Sequence, residues 1–296
     1  MGCCTTPPPA GALRPRSPSS YRVLAVSAVT ESLRALEPEF ERAEGTVSVW
    51  CGGLSGVPDY ARLATTSHLA ASTIKVALLV AAYRQADAGV LNLDTEVAVH
   101  DDFASVVSGR FVMDHGYDND DEPWDRLGQT ASLRWLARRM IVRSSNLATD
   151  LVLEHVGYDA VAAAVAECGA VGTDLRKPIC DDVASERGIV NTATAAGLAA
   201  LFGALANATA ASPRACAEML DLLRAQEYLE GIAAGLPAGT GVASKGGWID
   251  EARHDAALIE PADAAPYLLV VCTSGLADDA SLTIIRDLAA ASWAAR

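Results

Sequence analysis

Residues 241–274 read GVASKGGWIDEARHDAALIEPADAAPYLLVVCTS, and this stretch indicates the fold most directly. Apolar residues alternate with polar ones, or run together, over three segments: Gly241 to Trp248, Arg253 to Ile259 and Pro266 to Ser274. Residues typical of turns separate these segments, at 249–251 and 261–263. The pattern predicts three consecutive β-strands joined by turns.

Two further strands are predicted near the other end of the chain. Thr46 to Gly52 and Tyr60 to Ala64 are short alternating runs, separated by glycine and proline, that favour an antiparallel hairpin. Outside the strands, apolar residues recur every three or four positions at 27–43 and 282–295, which predicts terminal amphipathic helices. Helical periodicity also dominates the alanine-rich middle of the chain, from about Ser72 to Leu223.

This order of elements predicts an α+β fold. Strands from both ends form one antiparallel sheet, terminal helices flank it, and the middle of the chain forms an inserted helical lobe. We expect an α/β lobe from about 21–70 and 225–296, and a helical lobe from about 71–224. A small-molecule site is expected in the cleft between the two lobes.

The first 20 residues, MGCCTTPPPAGALRPRSPSS, are rich in proline and serine and predict a disordered leader. The first six residues also fit an N-myristoylation pattern with adjacent cysteines, which is the alternative interpretation. A secretory signal is not evident, because the candidate Tyr21 to Val29 is interrupted by Arg22. We therefore expect a cytoplasmic protein as the sequence is written, and a secreted or periplasmic one if the true start differs.

Composition excludes several classes of function. The formal net charge is −14, which disfavours nucleic acid and anionic membrane surfaces as partners. The most apolar run, Val76 to Ala82, is far too short to cross a bilayer. The seven cysteines form no CxxC pair and the five histidines form no HExxH motif, so we expect no metal and no cofactor. We expect a monomer that acts on a small molecule.

Ser72-Thr73-Ile74-Lys75 opens the most apolar predicted helix. A serine and a lysine three positions apart lie on the same helix face, so their side chains can meet. A lysine that is partly removed from water has a lowered pKa and can take the proton of a serine nucleophile. Taken alone the pattern is weak, because serine often caps a helix and lysine is often a solvated surface residue.

Two further short motifs follow in the chain. Ser144-Ser145-Asn146 lies between two predicted helices and offers a hydroxyl and a carboxamide on a turn. Lys245-Gly246-Gly247 lies in the predicted strand Gly241 to Trp248, where glycine allows a substrate backbone to approach the strand edge closely.

The three motifs together resemble the class A β-lactamase and penicillin-binding protein family, whose pattern is S-x-x-K, S-D-N and K-T-G. The resemblance covers about Ser27 to Arg296 and implies a β-lactamase/transpeptidase-like fold with a five-stranded sheet. It implies an acyl-enzyme formed on Ser72, with Lys75 as proton acceptor or relay and Ser144 as proton donor to the leaving nitrogen.

The same resemblance assigns the residues that bind substrate. Asn146 would hold the substrate amide, and Lys245 would attract a substrate carboxylate. The backbone N–H groups of Ser72 and Trp248, which follows Gly247, would form the oxyanion hole. Arg253 is either a second partner for the substrate carboxylate or an exposed strand charge.

This sequence departs from the family pattern at three places. Ser145 replaces the family aspartate, which removes a carboxylate from the turn, and Gly246 replaces the family threonine, which removes a hydroxyl from the carboxylate subsite. The loop between Leu175 and Asn191 contains no E-x-x-L-N stretch, whose glutamate activates the deacylating water in class A enzymes. Asp181 is the best remaining candidate by its spacing to Asn191; alternatively, the acidic residues of this loop only stabilise it.

Three functions remain open at this stage. The first is hydrolysis of the cyclic amide of a β-lactam through an acyl-enzyme on Ser72. The second keeps the nucleophile but changes the reaction to that of a D-Ala-type peptidase, esterase or acyltransferase acting on a cytosolic metabolite. The third is a non-catalytic β-lactam-binding protein.

The acidic run 114–125 is expected to be a solvated loop, or to favour cationic substrates if it borders the cleft.

Overall fold

The central sheet combines strands from both ends of the chain, as the sequence predicts. The computed structural model describes residues 1–3, 27–250 and 252–296, so the predicted leader lies almost entirely outside the described residues. In chain order, the strands of the described ranges are β1 (Thr46–Gly53), β2 (Tyr60–Arg62), β3 (His68–Leu69), β4 (Glu96–Ala98), β5 (Asp102–Ala104), β6 (Arg110–Val112), β7 (Thr130–Ser132), β8 (Thr192–Ala193), β9 (Gly241–Ile249), β10 (Ala252–Glu260) and β11 (Tyr267–Ser274). Five of these strands form the central sheet in the order β2-β1-β11-β10-β9, with every neighbouring pair antiparallel.

Helices lie on both faces of the sheet. Short 3-10 helices cover Ala71–Ile74, His115–Tyr117 and Ile232–Gly235. The α-helices of the described ranges are α1 (Ala28–Arg34), α2 (Glu37–Arg42), α3 (Lys75–Asp87), α4 (Asp121–Trp124), α5 (Leu133–Val142), α6 (Asn146–Val156), α7 (Tyr158–Glu167), α8 (Asp182–Glu186), α9 (Ala195–Ala206), α10 (Pro213–Arg224) and α11 (Asp278–Ala295). None of the helices in these ranges is long and apolar enough to cross a membrane.

The two faces of the sheet bury different apolar clusters. On one face, the terminal helices α1 and α11 cover a cluster that includes Leu33, Val49 and Leu288. On the other face, α9 packs across β1, β10 and β11 and joins the sheet to the inserted helices. Because side chains alternate across a strand, each long strand supplies residues to both clusters.

Helix α3 lies at the centre of the inserted segment. Every residue from Lys75 to Tyr83 is buried, and α5, α6, α7 and α10 all contact the helix. A helix that is enclosed on every side needs apolar residues on every side, which explains its apolar sequence. It begins three residues later than the sequence predicts, because Ala71–Ile74 forms a 3-10 turn ahead of it.

Short two-stranded ladders that the sequence did not predict lie within the inserted segment or join it to the residues just before it. These are β3 with β8, β4 with β7, and β5 with β6. Each of these strands has only two or three residues, which is too short for alternation to be recognised.

Two buried histidines attach β3 to the large sheet. The ring nitrogens of His68 are hydrogen-bonded to the hydroxyls of Ser274 (2.7 Å) and Ser48 (2.8 Å). His254 accepts a hydrogen bond from the Thr273 N–H, and its Nε2 donates to the Leu69 carbonyl at 2.7 Å. These bonds hold the chain in place two residues before the 3-10 turn at Ala71–Ile74.

The buried His68 ring predicts that the protein loses stability at acidic pH. Burial, followed by the nearby His254, lowers the pKa of His68 from its ordinary value of 6.5 to about 4. The unfolded chain therefore binds the proton more readily, so stability is complete above pH 6.5 and falls as the pH drops towards 4. Between these pH values we expect the unfolding free energy to fall by about 3 kcal/mol more in the wild type than in His68→Gln.

Urea unfolding at a series of pH values measures this difference. The matched control is His155→Gln, since His155 is exposed at the end of α6 and should leave the pH slope of the wild type unchanged. Equal slopes in the wild type and His68→Gln would contradict the prediction.

Candidate active site

Ser72 is held in a constrained turn between β3 and α3. It lies in the 3-10 helix Ala71–Ile74, and Ala71 before it has a φ of +44°, a backbone conformation that costs free energy for a residue other than glycine. The Thr73 hydroxyl donates to the Ala70 carbonyl at 2.6 Å, and the Ala70 N–H donates to the Asn191 carbonyl at 2.9 Å. These two hydrogen bonds hold the turn in place, and Ser72 remains partly exposed.

Lys75 is fully buried, and its ammonium group is directed at the turn between α5 and α6. Its Nζ donates to the Ser144 carbonyl at 2.7 Å and to Asn146 Oδ1 at 2.8 Å, with the Ser144 hydroxyl at 3.3 Å. Burial lowers the pKa of Lys75 to about 8, while the charge of Asp118 opposes this shift. At pH 7 about one Lys75 in ten is therefore neutral and able to accept a proton.

Lys245 reaches the same serine from the sheet. Its Nζ donates to Ser144 Oγ at 3.0 Å and to the Gly246 carbonyl at 2.7 Å. Burial, and then the charge of Lys75, lower the pKa of Lys245 well below its ordinary value. The Ser144 hydroxyl therefore accepts hydrogen bonds from two lysines and keeps its own proton available for a third group. Ser144 itself has a φ of +55°.

The carboxylate that Ser145 lacks is supplied by Asp118. Asp118 Oδ1 accepts from the Asn146 N–H at 2.8 Å, and Oδ2 accepts from the Leu147 N–H at 2.9 Å and the Ser145 hydroxyl at 3.1 Å. These bonds satisfy the free N–H groups at the start of α6. Sequence reasoning missed Asp118, because its position 27 residues before Ser145 carries no motif spacing.

The acidic run 114–125 is therefore more than the solvated loop that the sequence suggests. Asp118 is half-buried against the second motif, and Asp120 is buried in an ion pair with Arg139. Asp121 and Glu122 remain exposed. The physical reason is that the N–H groups at the start of α6 and the Arg139 guanidinium both need anionic partners when they are buried.

The two glycines of the third motif have different roles. A Cβ atom added to Gly247 would lie 2.8 Å from the Ser72 nitrogen and 2.9 Å from the Thr73 nitrogen. A Cβ atom added to Gly246 would meet nothing closer than the His254 carbonyl oxygen at 3.7 Å. The sequence predicts that both glycines admit a substrate backbone. In the structure Gly247 instead admits the backbone of the turn that carries Ser72.

Trp248 and Arg253 form the outer wall of the site. The Arg253 guanidinium lies over the Trp248 ring at 5.0 Å and donates to Glu230 at 2.6 Å and Asp278 at 3.2 Å. The Tyr228 ring also contacts the Trp248 ring in an edge-to-face arrangement, with ring centroids 5.0 Å apart. Arg253 is therefore neither an exposed strand charge nor a free cation, because two carboxylates already occupy its guanidinium.

Asp181, the predicted water-activating residue, is buried at the start of α8. Its Oδ1 accepts from the Ala184 N–H and its Oδ2 from the Val106 N–H, both at 3.0 Å. Both oxygens thus support local backbone structure. The alternative acids of this loop, Asp182 and Glu186, are exposed.

A second carboxyl group, which sequence reasoning missed, lies behind Lys75. Asp150 is buried in α6, and its Oδ1 accepts from the Ile179 N–H at 2.8 Å. Its Oδ2 has no hydrogen-bond partner among the described residues. Burial raises the pKa of Asp150 to about 7, and the charges of Lys75 and Lys177 oppose this shift. Asp150 belongs to no sequence motif. Its place in the site depends on how the loop that contains Ile179 packs against α6.

The different surroundings of the two glycines predict different responses to the same substitution. Gly247→Ala must displace the turn that carries Ser72, so we expect it to destabilise the protein by about 1–3 kcal/mol. Gly246→Ala is the matched control in the same strand and should change the unfolding free energy by less than about 0.5 kcal/mol. Urea unfolding of the two variants measures the difference, and equal effects would show that β9 does not pack on the turn as described.

Comparison with known proteins identifies the family of the chain. Residues 28–295 match the model of a family described as the β-lactamase enzyme family. No curated protein matches the chain. Among solved structures, a β-lactamase from Xanthomonas campestris has a TM-score of 0.78 at 21% identity, over 91% of this chain and 99% of that chain.

Two further structures are similar to this chain. A β-lactamase from Sphaerobacter thermophilus has a TM-score of 0.74 at 26% identity, over 90% of this chain and 95% of that chain. PBP-A has a TM-score of 0.77 at 21% identity, over 90% of this chain and 96% of that chain. The fold is of the β-lactamase/transpeptidase type, as the resemblance of the motifs implied, and the chain belongs to the β-lactamase enzyme family.

Proposed function

We propose that the protein is a serine hydrolase that opens the cyclic amide of a β-lactam and forms an acyl-enzyme on Ser72. One observation carries the proposal: Lys75 and Lys245 both donate to the Ser144 hydroxyl, beside the turn that holds Ser72. This arrangement supplies a proton acceptor, a proton relay and a nucleophile in a water-poor site.

Acylation uses Lys75 as the proton acceptor. The neutral form of Lys75 takes the proton of Ser72 as the hydroxyl attacks the amide carbonyl. The backbone N–H groups of Ser72 and Trp248 stabilise the negative charge on the carbonyl oxygen. Ser144 then gives its proton to the leaving nitrogen and receives the proton that Lys75 took from Ser72, since Lys75 donates to its oxygen, so Lys75 returns to its neutral form. Asn146, oriented by Lys75, binds the substrate amide.

Deacylation is the slower half of the reaction. Asp181 is the proposed water-activating residue, and both of its oxygens already accept hydrogen bonds from the backbone. A carboxylate that is engaged in this way is a weaker base for a water molecule. We therefore expect the acyl-enzyme to accumulate.

A different acyl acceptor is the second candidate function. Because Asp181 activates water only slowly, the acyl-enzyme lasts long enough for an amine or alcohol to attack the acyl group. A variant of PBP-A has been solved as an acyl-enzyme complex with penicillin G, on a fold that matches this chain with a TM-score of 0.76. Added amines that remove the acyl group faster than water would identify a peptidase or acyltransferase.

Mixing the protein with a chromogenic cephalosporin tests the proposed function. We expect a burst of product equal to the enzyme concentration, followed by slow turnover, and a mass increase on the peptide that contains Ser72. Ser72→Ala should lose both signals, whereas Ser55→Ala, in an exposed loop, should keep them. Absence of both an adduct and turnover in the wild type would overturn the proposal.

The pH dependence of acylation tests the role of Lys75. Because only neutral Lys75 accepts a proton and burial lowers its pKa to about 8, the acylation rate should rise up to pH 8 and then level off. Below pH 8 the rise should be about tenfold per pH unit. Single-turnover acylation between pH 6 and 9 measures the profile.

Lys75→Arg is the matched variant for this profile, because arginine keeps the positive charge but does not lose its proton in this range. We expect its acylation rate to be about 100-fold or more below the wild type and to show no rise near pH 8. A wild-type rate that is independent of pH from 6 to 9 would assign the proton transfer to another group.

A further inference from the structure

Beside the third motif, the structure leaves an open space at Gly246, where the family pattern has the side chain of a threonine. Gly246 lies in β9 next to Lys245 and is partly exposed. The atoms closest to a Cβ added at Gly246 are the His254 carbonyl oxygen at 3.7 Å and Asp255 Oδ1 at 3.9 Å. This space can therefore hold a group of the ligand.

A carboxyl oxygen without a partner faces this space. The strand register pairs Asp255 with Gly246, so the Asp255 side chain lies on the same face of the sheet as the missing side chain of Gly246. Asp255 is only 6% exposed, and its Oδ2 accepts from the Ile232 N–H at 2.8 Å. Its Oδ1 has no hydrogen-bond partner in the described part of the chain.

An unpaired carboxyl oxygen in a buried position costs free energy, which a donor from a ligand would offset. Burial raises the pKa of Asp255 to about 6, while the Ile232 N–H and the charges of Lys245 and Arg253 oppose this shift. At pH 7 the carboxyl group is therefore mainly ionised. An ionised carboxyl oxygen accepts hydrogen bonds and repels a carboxylate ligand.

The neighbouring charges are also unfavourable for a carboxylate ligand. Arg253 lies on the same face of β10 as Asp255, and its guanidinium is held by Glu230 and Asp278. Arg253 thus lies near three carboxylates, Glu230, Asp278 and Asp255, and Lys245 is the second cation whose charge acts on Asp255. Lys245 points to the opposite face of β9, because neighbouring residues of a strand alternate, and donates to Ser144.

We infer that the subsite formed by Gly246, Asp255 and Arg253 selects a substrate that presents a nitrogen donor, best an ammonium group, where the family pattern takes a carboxylate. The ammonium would donate to Asp255 Oδ1 through the space that Gly246 leaves open. This inference rests on the proposed function, because it places the substrate of Ser72 along β9.

Three chromogenic cephalosporins that differ only at the ring carboxylate test the inference: the free acid, its neutral primary amide and its aminoethyl amide. Two quantities are measured for each: the second-order rate constant for labelling of Ser72, and the Kd for the Ser72→Ala variant. We expect the aminoethyl amide to exceed the free acid by about tenfold or more in both, the gain typical of a charge-assisted hydrogen bond.

Two substitutions should remove this preference by different routes. Asp255→Asn keeps an acceptor for the Ile232 N–H but removes the charge, and Gly246→Thr fills the open space with a hydroxyl-bearing side chain. The double variant should prefer the free acid.

Asp159→Asn, on the exposed face of α7, is the matched control and should keep the wild-type preference. Circular dichroism and urea unfolding identify any variant that fails to fold.

The outcomes separate this inference from the proposed function. Labelling of Ser72 with a preference for the free acid overturns the inference and leaves the proposed function intact. A preference of Ser72→Ala for the aminoethyl amide, abolished by Asp255→Asn but without labelling of the wild type, supports the subsite and overturns the acyl-enzyme. Absence of both labelling and binding for all three compounds overturns both.

Discussion

The architecture of the site depends on the burial of two lysines against one hydroxyl. Lys75 from a helix and Lys245 from a strand both donate to Ser144 Oγ, and mainly neutral oxygens surround them. Burial without a close carboxylate partner lowers the pKa of both amines. Arginine could not take this role, because its guanidinium keeps its proton. The three lysines of the chain, the third being Lys177, are all buried, and the other basic residues are arginines.

Around Lys75 and Lys245, residues distant in the chain lie where the second and third motifs lack side chains of the family pattern. The second motif has no carboxylate of its own, and Asp118 from a separate loop binds its N–H groups instead. The third motif has no hydroxyl at Gly246, and the carboxyl of Asp255 lies beside the open position. Asp118 thus binds the N–H groups at the start of α6 in place of a carboxylate at Ser145. At Gly246 no side chain fills the position, and the proposed subsite for a nitrogen donor follows from this departure.

The carboxyl groups near the site differ in how many of their oxygens accept a hydrogen bond. Both oxygens of Asp181 accept from backbone N–H groups, whereas Asp150 and Asp255 each leave one buried oxygen without a partner. Folded proteins seldom leave buried acceptors unpaired, so each one that remains needs an explanation. The proposed slow deacylation rests on the engaged oxygens of Asp181, and the proposed subsite for a nitrogen donor rests on the oxygen of Asp255 that has no partner among the described residues.

The sequence by itself determined the fold class, the five strands of the sheet and the order of the three motifs. These features depend on periodicities of two and 3.6 residues and on short spacings such as Ser72 to Lys75, which the geometry of strands and helices sets locally. Only the tertiary structure decided that Asp118 binds the second motif, that Gly247 admits the turn that carries Ser72 and that one oxygen of Asp255 has no partner among the described residues. Each of these contacts joins residues distant in the chain, and their meeting depends on how helices and strands pack, which no local spacing records.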